Sequence, residues 1–295
     1  MRHDVIVIGG SYAGMAAALQ LLRARRTVLI IDAGQRRNRF AKSSHGFLGQ
    51  DGADPAGIAA AARKQLEAYG TLHWIDDLAL EARRLEAGDG FSIRCWNGGI
   101  HEGARVLFAT GVSDQLPDIE GLAERWGQHV FHCPYCHGYE LDQGRIGVIA
   151  TGAMSLHQAE LLTEWGEVTL FLNEAILPDV AAMETLAARG VAVEARPILR
   201  IEGDADVLLE NGRRLSFAGL FTAARNAPST GIAESLGCEL EETPFGMQIR
   251  RNATHETTIG GAFACGDVAH VPHSVSLAVG DGALTGAMLH RSLVF

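Results

Sequence analysis

The sequence predicts an α/β protein in which one structural plan is written twice, the second copy set inside the first. Three observations carry this. "DVIVIGGSYAGMAAALQLLRARRTVLIIDAG" reads as strand, glycine turn, Ala/Leu helix and strand; "GRIGVIATGAMSLHQAELLTEWGEVTLFLNEA" repeats that order 141 residues later (position 150 against position 9); and "GGAFACGDVAH" adds a short apolar strand ending in Gly and an acid near the C-terminus. Each copy is a βαβ unit of the kind that binds dinucleotides, so the expected fold is two Rossmann-like domains, the second inserted into the first. The expected boundaries are 1–115 and 245–295 for the first domain and 116–244 for the second.

In the first copy, Val5 to Ile8 form the opening strand, a helix runs from about Ala13 to Arg25, and the next strand ends at Asp32. Gly9 permits the tight turn and Gly14 lets helix and strand pack closely, while Ser11 stands where the fingerprint has its middle glycine. Asp32, 23 residues after Gly9, is placed to accept hydrogen bonds from a ribose, and the helix N-terminus faces a pyrophosphate. Arg36, Arg37 and Arg39 read either as contacts to the adenine or phosphate side of a dinucleotide or, the reading slightly preferred, as a solvated charged turn.

The second copy is degraded. In the same register Gly9 falls on Ala150, Ser11 on Gly152, Gly14 on Ser155 and Asp32 on Asn173. No Lys or Arg occurs between Ile146 and Ala188 to meet a 2′-phosphate, while Glu160, Glu164, Glu167, Glu174, Asp179 and Glu184 do. NADPH is therefore a doubtful ligand there.

Between the copies, Val106 to Ala109 read as a buried strand followed by Gly111. A Pro-containing link at Pro117 to Gly121 suits a domain hinge, with the return near Asn226 to Thr230. Gly266 and Asp267 fall at a strand's C-terminal edge, where ligands of open α/β sheets sit. Ser274 to Leu293 read as a Gly-interrupted amphipathic helix closing the first domain.

The chain has 295 residues, 47% hydrophobic and 20% charged, with a formal net charge of −10, which argues against a nucleic-acid or anionic-membrane surface. No apolar run approaches the ~20 residues that span a bilayer, and the N-terminus lacks a signal peptide's apolar stretch, so the expectation is a soluble, cytoplasmic protein. Five cysteines, Cys95, Cys133, Cys136, Cys238 and Cys265, are too few and odd in number for a secreted disulfide framework. Cys238 and Cys265 read as core, and Cys95 sits on a strand beside Trp96.

Cys133 and Cys136, in "HCPYCHGYE", admit four readings: a redox disulfide, part of a zinc site, a c-type haem attachment or a structural pair. Zinc needs about four ligands and no second cluster is present; haem attachment needs an export route and axial ligands. Two-residue spacing lets the sulfurs bond in a small ring, and a helix starting near Cys136 would favour thiolate. His137 can exchange a proton near neutral pH, or may serve only as a cap. No metal site is expected.

The motifs "VIVIGGSYAG", "LIIDAG", "LFATG", "CPYC" and "FACGDV", in this order, resemble the low-molecular-weight thioredoxin reductase family of FAD-dependent disulfide oxidoreductases. The resemblance implies that Gly9, Gly14 and Asp32 hold the ADP half of FAD, that Gly111 lies near the cofactor, and that Asp267 contacts its flavin-side phosphate or ribityl chain; Ser11 and Gly266 are grouped with them by position, and His45 in "SHGFLG" reads either as a flavin contact or as the cap of a turn. It also implies that Cys136 lies against the flavin while Cys133 exchanges with an external thiol, and that the protein is a homodimer. Two departures stand out: "LFLNEA" replaces a strand ending in His-Arg-Arg, and His137 replaces the aspartate after the CxxC. "CHGYE" and "SHGFLGQDG" are closer to the branch that contains the dithiol oxidases of gliotoxin and holomycin pathways. The resemblance thus implies an FAD enzyme moving two electrons between flavin, the Cys133/Cys136 pair and an external dithiol or disulfide. The partner is a small molecule or a thioredoxin-like protein. The alternatives are an NADPH-dependent thioredoxin reductase and a non-catalytic flavin-binding redox sensor.

Overall fold

The computed structural model describes residues 2–86 and 89–295. Two compact units emerge: residues 1–39, 46–113 and 226–295 form the first, and residues 40–45 and 114–225 the second.

The outgoing leg of the first unit comprises β1 (Arg2–Ile8), α1 (Tyr12–Arg23), β2 (Val28–Asp32), α2 (Pro55–Leu66), β3 (Leu72–Asp76), β4 (Ala79–Arg84), β5 (Phe91–Cys95) and β6 (Ile100–Phe108), with β7 (Val112–Gln115) carrying the chain out. The apolar runs that announced β1 and β2 are buried to the last side chain from Val5 to Ile8 and from Val28 to Ile31, as strands covered on both faces must be. Asp54 caps α2, its carboxylate accepting the N–H groups of Ala56 and Gly57, with Pro55 at the first helical position.

The second unit holds β8 (Val130–Phe131), α3 (Pro134–His137), β9 (Arg145–Ile149), α4 (Met154–Leu162), β10 (Glu167–Phe171), α5 (Val180–Ala188), β11 (Ala192–Glu194), β12 (Ile198–Glu202), β13 (Asp206–Leu209), β14 (Arg214–Ser216) and β15 (Gly219–Thr222). A parallel sheet in the order β11-β10-β9-β15-β8 carries the degraded copy, and β12, β13 and β14 form a separate antiparallel sheet. Leu122, Ile149, Phe171, Val207 and Leu220 belong to one core of this unit, and Val148, Leu162, Leu170 and Phe221 to another.

The return leg supplies β16 (Arg225–Pro228), α6 (Ile232–Ser235), β17 (Leu240–Thr243), β18 (Gly246–Ile249), β19 (Ala262–Ala264) and α7 (Val275–Ser292). The main sheet of the first unit runs β3-β2-β1-β6-β5-β4, with β19 also paired to β6. Its β3-β2-β1-β6 portion and the β19 pairing are parallel, and its β6-β5-β4 portion antiparallel. The expected return at 245 is too late. Ile232, Ala233, Leu236, Cys238 and Leu240 are packed in the same core as Ala79, Ala82 and Phe91 of the first unit, so the crossing comes at 226. The outgoing leg of the first unit ends at residue 113. Residues 40–45, expected in the first domain, group with the second unit.

The closing helix is Val275–Ser292, with Ser274 as its N-cap accepting the Leu277 N–H at 3.1 Å. Its glycines allow close packing: a Cβ at Gly282 would lie 2.2 Å from the Ala13 carbonyl oxygen of α1. Among the described residues, no helix is long and apolar enough to cross a membrane.

Candidate active site

The first-unit turn leaves no room for side chains at two of its glycines. Gly9 has φ +105°, and a Cβ there would sit 2.3 Å from the Ala109 carbonyl oxygen; a Cβ at Gly14 would sit 1.9 Å from the Gly9 oxygen. Neither position admits a side chain. Ser11 is the N-cap of α1 but makes no side-chain capping bond, so the start of this helix can receive an anion. Asp32 ends β2 and accepts the Gly10 N–H through Oδ1 at 3.0 Å. Gly111 follows β6 with φ +69° and open space where a Cβ would go. Asp267 lies in a short turn, Gly266–Val268, after β19.

Two features of this unit were not foreseen. Arg37, for which the sequence offers a solvated turn and a cofactor contact as the two readings, donates from Nη1 to Asp267 Oδ2 at 3.0 Å and to His273 Nδ1 at 2.8 Å. It links the segment after Asp32 to the Gly266–Asp267 turn, across 230 residues of sequence that no local signal bridges. Behind that turn, Asp281 accepts the Gly266 N–H at 2.8 Å and is held by Arg251 at 2.8 and 3.0 Å. Arg251 also donates to the Ala264 carbonyl at 3.0 Å.

The corresponding turn of the second unit is closed upon itself. The Thr151 N–H donates to Ser155 Oγ at 2.9 Å, and the Thr151 hydroxyl donates to the Ala223 carbonyl at 2.8 Å. Ser155, at the position of Gly14, is fully buried. Asn173, at the position of Asp32, accepts the Ile198 N–H at 2.9 Å. Thr151, Ser155 and Asn173 are thus each bonded within the protein, while the start of α4 carries no side-chain cap.

Cys133 and Cys136 are joined in a disulfide with Cα atoms 5.3 Å apart. Both sulfurs are thereby committed to each other, and among the described residues no group of three His, Cys, Asp or Glu side chains could hold a metal ion. The expected helix start near Cys136 is displaced. The one-turn helix α3 begins at Pro134 with Cys133 as its N-cap, because proline suits the first helical position. Gln158 of α4 donates to the His132 carbonyl at 2.9 Å, anchoring the residue before Cys133. Tyr135, between the cysteines and 72% exposed, stands edge-on against Trp165 at 5.3 Å.

His137 stacks on Phe131 with ring centroids 4.3 Å apart. Burial, with a smaller contribution from the nearby His45, pushes its pKa down to about 4. It is therefore neutral throughout the neutral range. His45, grouped in the sequence with the flavin contacts, is instead in the second unit, with Nδ1 3.4 Å from Glu140 Oε1 and Nε2 3.0 Å from Ser43 Oγ. Glu140 stands in the same "HCPYCHGYE" stretch, but nothing in its spacing announces the pairing. The remaining cysteines, Cys95, Cys238 and Cys265, are buried and free, and burial raises all three thiol pKa values.

Comparison with known proteins agrees with this geometry. Residues 3–282 match the model of the family described as pyridine nucleotide-disulphide oxidoreductase. A thioredoxin reductase, tcpT, of Claviceps purpurea is 31% identical over 307 residues, covering 99% of this chain and 94% of its own length. Among solved structures, an oxidoreductase from Agrobacterium tumefaciens is 52% identical with a TM-score of 0.97, covering 100% of this chain and 99% of that one. HlmI is 33% identical with a TM-score of 0.91, covering 99% and 92%. Two dinucleotide-type units, a vicinal disulfide and a family match over nearly the whole length lead to one assignment: the chain belongs to the pyridine nucleotide-disulphide oxidoreductase family, as an FAD-binding, thioredoxin reductase-like disulfide oxidoreductase.

Proposed function

We propose that this enzyme oxidises a small dithiol, passing two electrons through the Cys133–Cys136 disulfide to FAD and from there to an acceptor other than NADP⁺, with oxygen the simplest candidate. The observation that carries this reading is the contrast between the two turns. The α1 turn is a glycine cradle in which neither Gly9 nor Gly14 admits a side chain, whereas in the α4 turn the buried Ser155 replaces the second glycine and is bonded to Thr151, and Asn173, in place of the acid, is bonded to the Ile198 N–H.

In this reading Gly9, Ser11, Gly14 and Asp32 hold the ADP half of FAD, Gly111 lies near it, and Gly266 and Asp267 receive its flavin side, with Arg37 supporting Asp267. FAD supplies a reversible two-electron acceptor. Cys133 exchanges with the substrate sulfur and Cys136 with the flavin side. The exposed Tyr135, with the half-buried Trp165 edge-on against it, offers an aromatic surface beside the sulfurs that suits a compact ring-bearing dithiol. A homodimer is supported by an exposed stripe on α7, where Leu277 and Leu284 are 39% and 48% exposed two turns apart.

The test is anaerobic. The purified protein is mixed with NADPH or with dithiothreitol while the flavin absorbance is followed. Bleaching by dithiothreitol alone, with colour returning in air, is the expected result. Bleaching by NADPH at a comparable rate would make it a thioredoxin reductase instead, and a disulfide that cycles without turnover would make it a sensor. Cys136→Ser should keep FAD bound and lose turnover by at least about 10³-fold.

A further inference from the structure

We propose that His45, oriented by Glu140, is the proton acceptor of the dithiol half-reaction. The inference rests on the dithiol reading above and deepens it, since the sequence grouped His45 with the cofactor contacts instead.

The geometry is that of a base held between an orienting acid and a hydroxyl. Residues 40–45 pack with the second unit, which also carries the disulfide. Glu140 Oε1 is 3.4 Å from His45 Nδ1. A carboxylate on that side favours the tautomer with its proton on Nδ1, which leaves the lone pair on Nε2. Ser43 Oγ lies 3.0 Å from Nε2 and can donate to it or relay a proton to it. His45 is half-buried.

His137 is the neighbour that chain order would nominate, since it follows Cys136 directly. Its stacking on Phe131 and its burial hold it neutral, with a proton affinity too low for an efficient acceptor at neutral pH. His45 is close enough to depress His137 further. Glu140 and His137 thus face His45 from the end of α3 and the turn after it. The two histidines divide the work: His137 packs against Phe131 and stays uncharged, and His45 carries the proton.

The step balances as follows. A substrate thiol gives its proton to His45 Nε2, directly or through Ser43, and the resulting thiolate attacks Cys133 Sγ. The Cys133–Cys136 bond breaks and Cys136 leaves as a thiolate. The second substrate thiol then attacks the substrate sulfur of the mixed disulfide. The substrate disulfide forms, and Cys133 leaves and takes up that thiol's proton. The substrate loses two electrons and two protons; the cysteine pair gains the electrons, one proton rests on Cys133 and one on His45, which returns it to solvent.

The experiment measures anaerobic flavin bleaching by dithiothreitol from pH 6 to pH 9.5, together with acid-quenched alkylation that counts reduced cysteines, in wild type, His45→Gln, Glu140→Gln, Glu140→Asp and His137→Gln. His45→Gln is expected to slow both signals about 10²-fold at pH 7. That defect should shrink toward the thiol pKa of about 8.5, where the substrate arrives already as thiolate. Glu140→Gln should be slower by about tenfold at pH 7 and Glu140→Asp should recover most of that. If His45→Gln loses its flavin, Glu140→Gln and its rescue carry the test. A His45→Gln rate equal to wild type, a defect of the same size at every pH, or a larger pH-dependent defect in His137→Gln would each overturn the proposal. Wild type that no dithiol bleaches would instead overturn the proposed function on which it rests.

Discussion

The Asn173 side chain of the second unit accepts the backbone N–H of Ile198 at 2.9 Å, at the position where the first unit carries Asp32. The first-copy acid accepts an N–H from its own glycine turn, at Gly10. The second-copy amide is turned away from its turn, toward the start of β12. The acid's position ties its own turn in the first copy and a distant strand in the second. Asn173→Ala should therefore cost about 1 kcal/mol, lowering the melting temperature by roughly 2–4 °C for a protein of this size, and leave dithiol turnover at the wild-type rate. Calorimetry and anaerobic bleaching check the two halves; loss of turnover with unchanged melting would mean that the residue still serves a ligand.

Gly14→Ala tests the first turn. The added methyl would meet the Gly9 oxygen at 1.9 Å, and that oxygen cannot retreat because Gly9 is itself pressed against the Ala109 carbonyl and its N–H is bonded to the Ile31 oxygen at 2.9 Å. Relief must come from moving α1 away from β1, at a cost of about 1–3 kcal/mol. In the proposed reading the helix start would then be displaced from the phosphates it is to receive. The variant is expected to purify colourless or to release FAD on gel filtration at least tenfold faster than wild type, read by the fluorescence of free flavin. A yellow protein with wild-type retention would refute this account of the turn.

Both βαβ units, the turn at Gly9, the acid at Asp32 and the linked cysteines are legible in the chain because each rests on local periodicity or fixed spacing. What was missed depends on residues far apart in sequence. Arg37 reaches Asp267 and Arg251 reaches Asp281 through the fold alone. That residues 40–45, His45 among them, group with the second unit is not legible in the chain, since a six-residue excursion has too little apolar content to announce which core it joins. The early return at Asn226 was hidden for a related reason: α6 is only four residues long, and its burial against the first unit leaves no composition shift to read.

His137 gives a pH signature. Its ordinary value is 6.5, and burial lowers it in the folded protein to about 4. The unfolded chain therefore binds a proton more readily than the folded one between these values, and the derivative of stability with pH is positive there. The contribution is fully present above about pH 6.5 and is lost as the pH falls toward 4. Wild type should lose melting temperature across this window more steeply than His137→Gln, whose side chain cannot take the proton. Parallel pH dependences in differential scanning fluorimetry would place the acid sensitivity elsewhere, His3 and His255 being the next candidates because burial lowers both.

The pair behind the Gly266–Asp267 turn makes the last prediction. Arg251 and Asp281 side chains are 11% and 8% exposed and joined at 2.8 Å. Breaking such a pair leaves an uncompensated buried charge and costs about 3–5 kcal/mol, whereas replacing both partners with apolar residues costs far less. Arg251→Met should therefore strongly destabilise the first unit, and Arg251→Met/Asp281→Leu should regain most of that loss. Flavin retention should not follow the same course. Asp281 Oδ2 is also the acceptor for the Gly266 N–H at 2.8 Å, next to the residue assigned to the flavin side, and leucine cannot replace it. The double variant is thus expected to regain most, not all, of the stability lost in Arg251→Met and still release FAD more readily. Urea unfolding followed in parallel with free-flavin fluorescence separates the two effects, and recovery of both together would mean that the pair supports the fold alone.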